Sequence, residues 1–211
     1  MTEVVAFLVH ASLVQLGSAQ TDVEFKQRVA ASLPRGTSLI GFNRLPSNRA
    51  IVVTSKPAEG DLRIDASLAT LDASGTVRLS KAIENTCGYG RPRIVRVDAD
   101  HDGQPEVAIV CNLGGAHGLE AISVVKATHA GLIDLSAGAK VAYGWTVVPG
   151  NRSRPTVLIG ESSTYVYTGV HGISGPGSLF IRYSLREGRF RMIETRRTRR
   201  LDDIAKQAGV R

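Results

Sequence analysis

The stretch Val97–Val110, V-D-A-D-H-D-G-Q-P-E-V-A-I-V, decides how this chain is interpreted. Asp98, Asp100 and Asp102 are three of only ten aspartates in the chain, and they stand at alternate positions where their charges repel one another. A glycine, Glu106 and a short apolar run follow them. Either a cation neutralises this cluster, or the three acids crowd a solvated turn.

The composition is that of a globular protein with a basic surface. Of 211 residues, 43% are hydrophobic and 21% are charged, which excludes an intrinsically disordered chain. Lysine and arginine together exceed the acidic residues by seven, and 20 of the 26 basic residues are arginines. Such a charge attracts phosphates, acidic glycans or an acidic protein partner, but it selects none of them.

Residues 1–19 are expected to be a signal peptide. The apolar run Val4–Leu16 is too short to cross a bilayer, which needs ~20 residues, and the small residues 17–19 suit a signal peptidase. Glu3 and the lack of a basic residue before the run depart from the pattern, and a buried N-terminal helix or strand is the alternative. We expect export, to a secreted or periplasmic location, and no later segment apolar enough for a membrane anchor.

The chain has two cysteines, Cys87 and Cys111. In an oxidising compartment they can form a disulfide, and an entropic estimate values such a loop closure at roughly 3 kcal/mol. The alternative is a pair of buried thiols in a reduced cytosolic protein. Conditional on export, we favour the disulfide.

Beyond the leader, the sequence predicts a helix, a β domain and a basic tail. Residues 20–36 have the capping and apolar spacing of a short helix that ends near Pro34. Short β-branched runs between glycine, proline, asparagine and aspartate turns predict a β domain over residues 37–195. Residues 196–211 are expected to form a basic C-terminal tail with a short helix.

A strand repeat runs through the β domain. Apolar cores begin at Ile51, Val107 and Val157, which are 56 and 50 residues apart. Each is followed by a glycine-bearing connection, a longer alternating strand, a tight turn and a final strand, and short strands at 93–97 and 144–148 precede two of them. Unrelated hairpins are the alternative. The repeat predicts a mainly β fold of three antiparallel four-stranded blades.

The acidic stretch has the spacing of a calcium loop. Hard cations such as calcium take six to eight oxygen ligands, which alternating carboxylates on a tight turn can supply. Gly103 permits the backbone reversal, the carbonyl of Gln104 can face inward, and Glu106 can close the far side. Ile109 stands where an EF-hand has its last acidic ligand, and a strand follows instead of a helix. Magnesium and a metal-free turn are the alternatives.

The same residues carry a family resemblance. D-A-D-H-D-G-Q-P-E-V-A-I-V resembles the D-x-D-x-D-G-x-x-D/E-hydrophobic loop of FG-GAP/VCBS repeats, which are the blades of integrin-α-like β-propellers. The resemblance implies a structural calcium ion held by five residues: Asp98, Asp100, Asp102, Glu106 and, through its carbonyl, Gln104.

Two departures from the family pattern limit what the resemblance implies. The family usually closes rings of about seven blades, whereas this chain has three units, so a partial or atypical propeller is expected. Self-association, a partner that supplies further blades, or a folded-over sandwich must then protect the open sheet edges. The other two units also lack the acidic ligands. Arg44 and Arg152 stand in their loops, either as guanidinium substitutes for a cation or in simple polar turns.

The sequence gives little indication of an enzyme. No pair of histidines has the spacing of a zinc site, and no G-x-S-x-G nucleophile elbow is present. His117 and His171 lie in similar glycine-rich loops of the second and third units, where they can contact a ligand or simply be exposed. We therefore expect a protein without catalytic activity.

The basic end of the chain is the other candidate surface. Eight arginines lie between Arg182 and Arg200, against Glu187 and Glu194. Arginine forks suit phosphate, sulfate or carboxylate groups, although a solvated tail is the alternative. The segment lacks the stacking aromatics expected of a nucleic-acid site. The candidate partner-binding residues are Arg189, Arg191, Arg196, Arg197, Arg199 and Arg200.

Together these patterns predict an exported, non-catalytic binding or adhesion-type module stabilised by one calcium loop. Its expected partner is a protein or an anionic glycan or surface ligand. One alternative is a periplasmic inhibitor or immunity-type protein that binds an acidic protein with its arginine surface. Another is a hydrolase whose site lies on the glycine- and histidine-rich loops.

Overall fold

The computed structural model describes residues 22–88, 90–114, 119–136, 141–142, 144–151, 154–166 and 173–198. The predicted leader and the chain beyond Thr198, including the predicted C-terminal helix, lie outside these residues. The described part consists of one helix, α1 (22–32), and three antiparallel β-sheets. The prediction of a mainly β fold with three four-stranded antiparallel sheets is confirmed.

The three sheets follow one another along the chain. The first contains β1 (Ser38–Leu45), β2 (Arg49–Ala58), β3 (Asp61–Leu71), β4 (Val77–Leu79) and β5 (Ile83–Cys87). The second contains β6 (Arg93–Val97), β7 (Glu106–Gly114), β8 (Leu119–Ala127), β9 (Leu132–Asp134) and β10 (Val141–Ala142). The third contains β11 (Gly144–Val148), β12 (Val157–Val166), β13 (Ile173–Arg186) and β14 (Arg189–Thr198). Arg196 and Arg197, which were predicted to begin the tail, therefore lie in β14.

Each sheet is a meander whose strands pair in chain order, and in the first two sheets the fourth strand is divided. β5 pairs with the first half of β3 and β4 with its second half. In the same way, β10 and β9 pair with opposite halves of β8. The sequence did not predict β5 or β10, which are short and lack the alternating pattern of the longer strands.

Strand β7 is buried on both faces, because it belongs to the second sheet, which packs against the first sheet on one side and the third on the other. Val107, Ile109 and Cys111 pack in a core shared with the first sheet, while Ala108 and Val110 pack in a core shared with the third. Successive residues of a strand point to opposite faces, so burial on both sides requires an unbroken apolar run. This is the physical reason for the run that follows the acidic stretch.

Helix α1 covers the outer face of the first sheet. Phe25 and Val29 are one helical turn apart, and both are fully buried against Ala50, Val52 and Ala69. Position 23, also apolar, points to solvent instead. The outward face of this sheet is therefore closed by the helix within the described part of the chain. That part contains no closed barrel or propeller ring, so the propeller arrangement stays a prediction.

The predicted disulfide is present. Cys87 on β5 is bonded to Cys111 on β7, and both residues are buried. The bond therefore joins the first sheet to the second. Near it, the Ser123 hydroxyl donates a 2.6 Å hydrogen bond to Oδ1 of Asn85, which is a second link between the same two sheets. No helix in the described ranges is long and apolar enough to cross a membrane.

Candidate functional site

The acidic loop lies between β6 and β7, at the edge of the second sheet. Its backbone reverses through two residues with left-handed conformations, His101 (φ 61°) and Gly103 (φ 80°). Glycine adopts this conformation without steric cost, which explains its position after the third aspartate. The reversal returns the chain to Glu106, the first residue of β7.

Three of the predicted metal ligands converge on one point. Asp98, Asp100 and Glu106 each offer one carboxylate oxygen, and these three atoms all lie within 4.8 Å of one another. Carboxylate oxygens are the ligands that calcium and magnesium prefer. The structure therefore contains an acidic cluster that can hold a metal ion, at the position predicted from the spacing.

Glu106 is the most buried member of the cluster, with 0% of its surface exposed. Its Oε2 accepts a 2.6 Å hydrogen bond from the backbone amide of Ala99. Burial raises the pKa of Glu106 more than this hydrogen bond lowers it, and the charge of Asp100 raises it further. Oε1 of Glu106 and Oδ1 of Asp98 are both buried, and neither accepts a hydrogen bond within the described residues.

A lysine that the sequence analysis did not single out lies against the cluster. The Nζ atom of Lys126, on β8, donates hydrogen bonds to Oδ2 of Asp100 and, at 2.7 Å, to Oδ2 of Asp102. It also lies 3.4 Å from Oε1 of Glu106. Only 18% of the Lys126 side chain is exposed. Burial lowers the pKa of Lys126, but its hydrogen bonds to Asp100 and Asp102, together with the charges of Glu106 and Asp100, raise the pKa above the ordinary lysine value.

The signal that could have found Lys126 is strand register. Val107 on β7 is paired with Val125 on β8. In an antiparallel pair, the residue before Val107 then stands beside the residue after Val125, which places Glu106 next to Lys126. Register depends on the exact pairing of two strands, and the hydrophobic pattern alone did not establish it.

Asp102 and Gln104 hold the loop in shape. The backbone amide of Gln104 donates a 2.7 Å hydrogen bond to Oδ1 of Asp102. Burial raises the pKa of Asp102, but the hydrogen bonds from Lys126 and Gln104 together lower it below the ordinary aspartate value. The predicted ligand roles of Asp102 and of the Gln104 carbonyl stay predictions.

The loop also touches the third sheet. A ring nitrogen of His101 lies 3.1 Å from the backbone oxygen of Arg154, and the hydroxyl of the fully buried Thr156 lies 3.5 Å from the backbone oxygen of Asp98. Both partners belong to the connection between β11 and β12. The acidic loop therefore bridges the second and third sheets, and its shape affects how they meet.

The corresponding turn of the third sheet has no room for an acidic side chain at its centre. Gly150 occupies the position equivalent to Asp100, and a Cβ atom there would lie 2.4 Å from the backbone oxygen of Arg154. Its amide donates a hydrogen bond to the Thr156 hydroxyl. This close approach of backbone explains the glycine. Arg152, one of the two proposed guanidinium substitutes, lies outside the described residues.

In the first sheet, the expected loop is a short turn, and Arg44 has another role. Arg44 belongs to β1, where its Nε lies 3.0 Å from Oδ1 of Asp22 and its guanidinium stacks 4.9 Å from the Phe25 ring centroid. It therefore attaches helix α1 to the first sheet. The hypothesis that Arg44 replaces a cation in a loop is wrong.

The structure gives the side-chain exposure of Arg189 and Arg191, two of the arginines of β14. Arg189 and Arg191 alternate with the buried Phe190 and are exposed, as the strand pattern predicted. Arg191 is ion-paired with Glu187 at 2.9 Å. Arg196 and Arg197 are in the same strand. The remaining predicted partner-binding residues, His117, His171, Arg199 and Arg200, lie outside the described residues.

Comparisons with family models, with curated proteins and with solved structures find no match to this chain. The resemblance to FG-GAP/VCBS repeats therefore rests on the acidic loop and the strand repeat themselves. What the molecule does has to be inferred from the geometry of these two features.

Proposed function

We propose that the protein is an exported, non-catalytic binding or adhesion-type module whose acidic loop binds one structural calcium ion. The observation that carries this proposal is the convergence of Asp98, Asp100 and Glu106, whose ligand atoms lie within 4.8 Å of one another. Opposed carboxylates at the start of a buried strand favour a role in rigidifying the fold.

The oxygen donors of the loop fit calcium in chemistry. Asp98, Asp100 and Glu106 would hold the ion, and Asp102 and the Gln104 carbonyl would complete an all-oxygen set. The buried Oδ1 of Asp98, which accepts no hydrogen bond within the described residues, is the kind of oxygen that a cation satisfies. Oε1 of Glu106 also accepts none, but it already lies 3.4 Å from the Lys126 ammonium. A bound calcium ion would strengthen the bridge between the second and third sheets.

Export is supported by the disulfide. Disulfides persist in oxidising compartments and are rare in the cytosol, and Cys87–Cys111 joins two sheets of the core. The expected signal peptide at residues 1–19 is consistent with the same compartment. We therefore propose a secreted or periplasmic location.

The blade interpretation is supported by the order of the strands. Each sheet is a meander in chain order, and the two buried cores between sheets each join sheets that are consecutive in the chain. Blades of a propeller have this order, with four strands in each. We therefore retain the proposal of a partial or atypical propeller of the FG-GAP/VCBS type.

The proposed partner surface is the hairpin formed by β13 and β14. Arg186, Arg189 and Arg191 are exposed around its turn, and Met192 beside them is 62% exposed. On its far side, β14 pairs with no strand of the described structure. Arginine and methionine are both enriched where proteins bind partners, and arginine also suits the carboxylates or sulfates of a glycan.

Calorimetry of the wild type and of Asp100→Ala, each with calcium and with a chelator, tests the calcium loop. Calcium should raise the wild-type melting temperature, because it binds only the folded loop, and Asp100→Ala should lose that increase. Asp61→Ala is the matched control, since it removes one exposed carboxylate at the turn between β2 and β3. Equal wild-type melting curves with calcium and chelator would contradict the site.

The exposed arginines also favour a second candidate, an inhibitor or immunity-type protein that binds an acidic protein. Pull-down from envelope extract distinguishes the two functions. One stoichiometric protein partner, lost when Arg189 and Arg191 are both changed to serine, supports the inhibitor. Retention on an anionic glycan, lost in the same variant, supports the adhesion-type module.

A further inference from the structure

The carboxylates of Asp100, Asp102 and Glu106 contact the ammonium of Lys126 in the acidic loop. Asp98, Asp100, Asp102 and Glu106 belong to the loop or its end, and Lys126 comes from the neighbouring strand. An ammonium placed among carboxylates at low exposure interacts with them more strongly than it would in water. Lys126 therefore offsets part of the repulsion that the aspartate spacing creates.

The position of Lys126 conflicts with a divalent cation. Its Nζ atom bonds Asp100 and lies 3.4 Å from Glu106 Oε1, so it contacts two of the three residues whose oxygens converge. Calcium takes its oxygen ligands at ~2.3–2.6 Å, and it would repel an ammonium held against the same carboxylates. A cation can therefore enter the cluster only when the Lys126 side chain withdraws from it.

We infer that Lys126 is a built-in counter-ion that competes with calcium for the acidic loop, keeping the loop folded without calcium and lowering its calcium affinity. This inference rests on the proposed calcium loop and adds a residue that sets the calcium affinity of that loop. The lysine is long and flexible, and its head group can move to solvent while its stem stays packed along the sheet. The loop thus exchanges a tethered monovalent cation for a free divalent one.

The competition has a consequence for the intact protein. With Lys126 in place, the second and third sheets stay joined through the loop at low calcium, and only a high calcium concentration replaces the ammonium. Without the ammonium, the carboxylates need calcium to offset their mutual repulsion. With Lys126 the protein therefore folds without calcium, whereas without Lys126 it needs bound calcium for full stability.

The test compares calcium binding and thermal melting of the wild type and Lys126→Met. Methionine keeps the length of an unbranched side chain but removes the charge. We expect Lys126→Met to bind calcium about tenfold more tightly than the wild type, which corresponds to about 1.4 kcal/mol. In chelator it should melt below the wild type, and calcium should remove that deficit.

Two further variants separate charge from packing. Lys56→Met is the matched control, because it removes the same charge from an exposed position on β2 and should leave calcium affinity unchanged. Lys126→Arg retains a cation and should restore wild-type melting in chelator without the gain in calcium affinity. If Lys126→Met folds only when calcium is present, that dependence supports the inference directly.

The contrary outcomes are distinct from one another. Equal calcium affinity in the wild type and Lys126→Met would overturn the competition and leave the calcium loop intact. A Lys126→Met protein that melts like the wild type in chelator would overturn the counter-ion role. If neither protein binds calcium, the calcium site itself is wrong, and the competition fails with it.

Discussion

The backbone amide of Ala99 donates a 2.6 Å hydrogen bond to Oε2 of Glu106, which closes the acidic loop from its first turn to the start of β7. Ala99 and Glu106 are both buried, so water cannot replace this bond. The loop is therefore held by a buried carboxylate as well as by its exposed aspartates, and the carboxylate's two oxygens have different partners.

Glu106→Ala should destabilise the fold by about 3 kcal/mol, because it leaves the Ala99 amide buried without an acceptor and opens a cavity. Glu106→Gln retains an acceptor oxygen and should cost clearly less. Urea unfolding of both variants in chelator measures the difference. Equal losses would show that the charge of Glu106, and not its bond to Ala99, holds the loop.

Replacing both Cys87 and Cys111 with alanine should lower the free energy of unfolding by about 3 kcal/mol, because the open chain regains the entropy that the disulfide removes. The bond links the first and second sheets across 24 residues of sequence. Guanidinium unfolding with and without reductant gives the measurement, and the double variant should no longer respond to reductant. A wild type whose stability is the same in reductant would contradict the prediction, provided thiol titration shows that the bond has opened.

Phe25→Ala should lower the free energy of unfolding by about 4 kcal/mol, because the ring is fully buried between helix α1 and the first sheet. It also contacts Phe42, edge to face, with 5.5 Å between ring centroids. Val23→Ala is the control on the same helix. Val23 is 59% exposed, so Val23→Ala should change the free energy of unfolding by no more than about 0.5 kcal/mol. Comparable losses would mean that α1 does not pack on the sheet in solution.

Gly160→Ala should lower the free energy of unfolding by about 2 kcal/mol, because the added methyl group overpacks the core between the second and third sheets. A Cβ at Gly160 would lie 2.9 Å from the ring of Trp145, the single tryptophan of the chain. Gly144→Ala, at the start of β11, meets no atom within 4 Å and is the matched control. Thermal melting followed by tryptophan fluorescence reports on both variants. A shift for Gly144→Ala as large as that for Gly160→Ala would contradict this packing.

The turn between β3 and β4 should stabilise the fold in a pH-dependent way. Oδ1 of Asp72 accepts hydrogen bonds from the Ser74 hydroxyl and from the amides of Ser74 and Thr76. The Ser74 hydroxyl and the Thr76 amide are the main causes that lower the pKa of Asp72 below its ordinary value. A folded-state pKa below the unfolded one contributes stability above the unfolded pKa, and that stability is lost as pH falls through the folded pKa.

Asp72→Ala should therefore be less stable than the wild type at neutral pH, and the difference should shrink as pH falls below the ordinary aspartate range. Urea unfolding of both proteins along an acid series gives the comparison at each pH. A difference that stays constant through the series would show that the Asp72 charge does not contribute to the turn.

Patterns between near neighbours were predictable. Each unit has the expected tight turn before its final strand, and the structure shows positive φ at the glycine of each turn: Gly75, Gly131 and Gly188. The helix position and the acidic cluster followed from spacing in the same way. These features depend on backbone conformation and side-chain alternation within a few residues, which the sequence displays directly.

Relationships between distant residues were not predictable. β5 and β10 are only five and two residues long, too short for their own pattern to identify them, and their pairing with β3 and β8 places them in the sheets. Both alternatives for Arg44, a guanidinium substitute and a polar turn, placed it in a loop, and its position in β1 was missed for a related reason. Its ion pair with Asp22 requires helix α1 to lie on the first sheet, and nothing local to Arg44 indicates that packing.

The sequence by itself determined that this protein is mainly β, with three successive β units predicted, that one of these units carries a cluster of acids, and which cysteines are available to pair. Alternation, turn residues and charge repulsion act over a few residues, so they are visible in the chain. Only the tertiary structure decided that Lys126 lies among those acids and that β7 is buried between two sheets. Strand register and sheet stacking join residues far apart in sequence, and their energies depend on the packed whole.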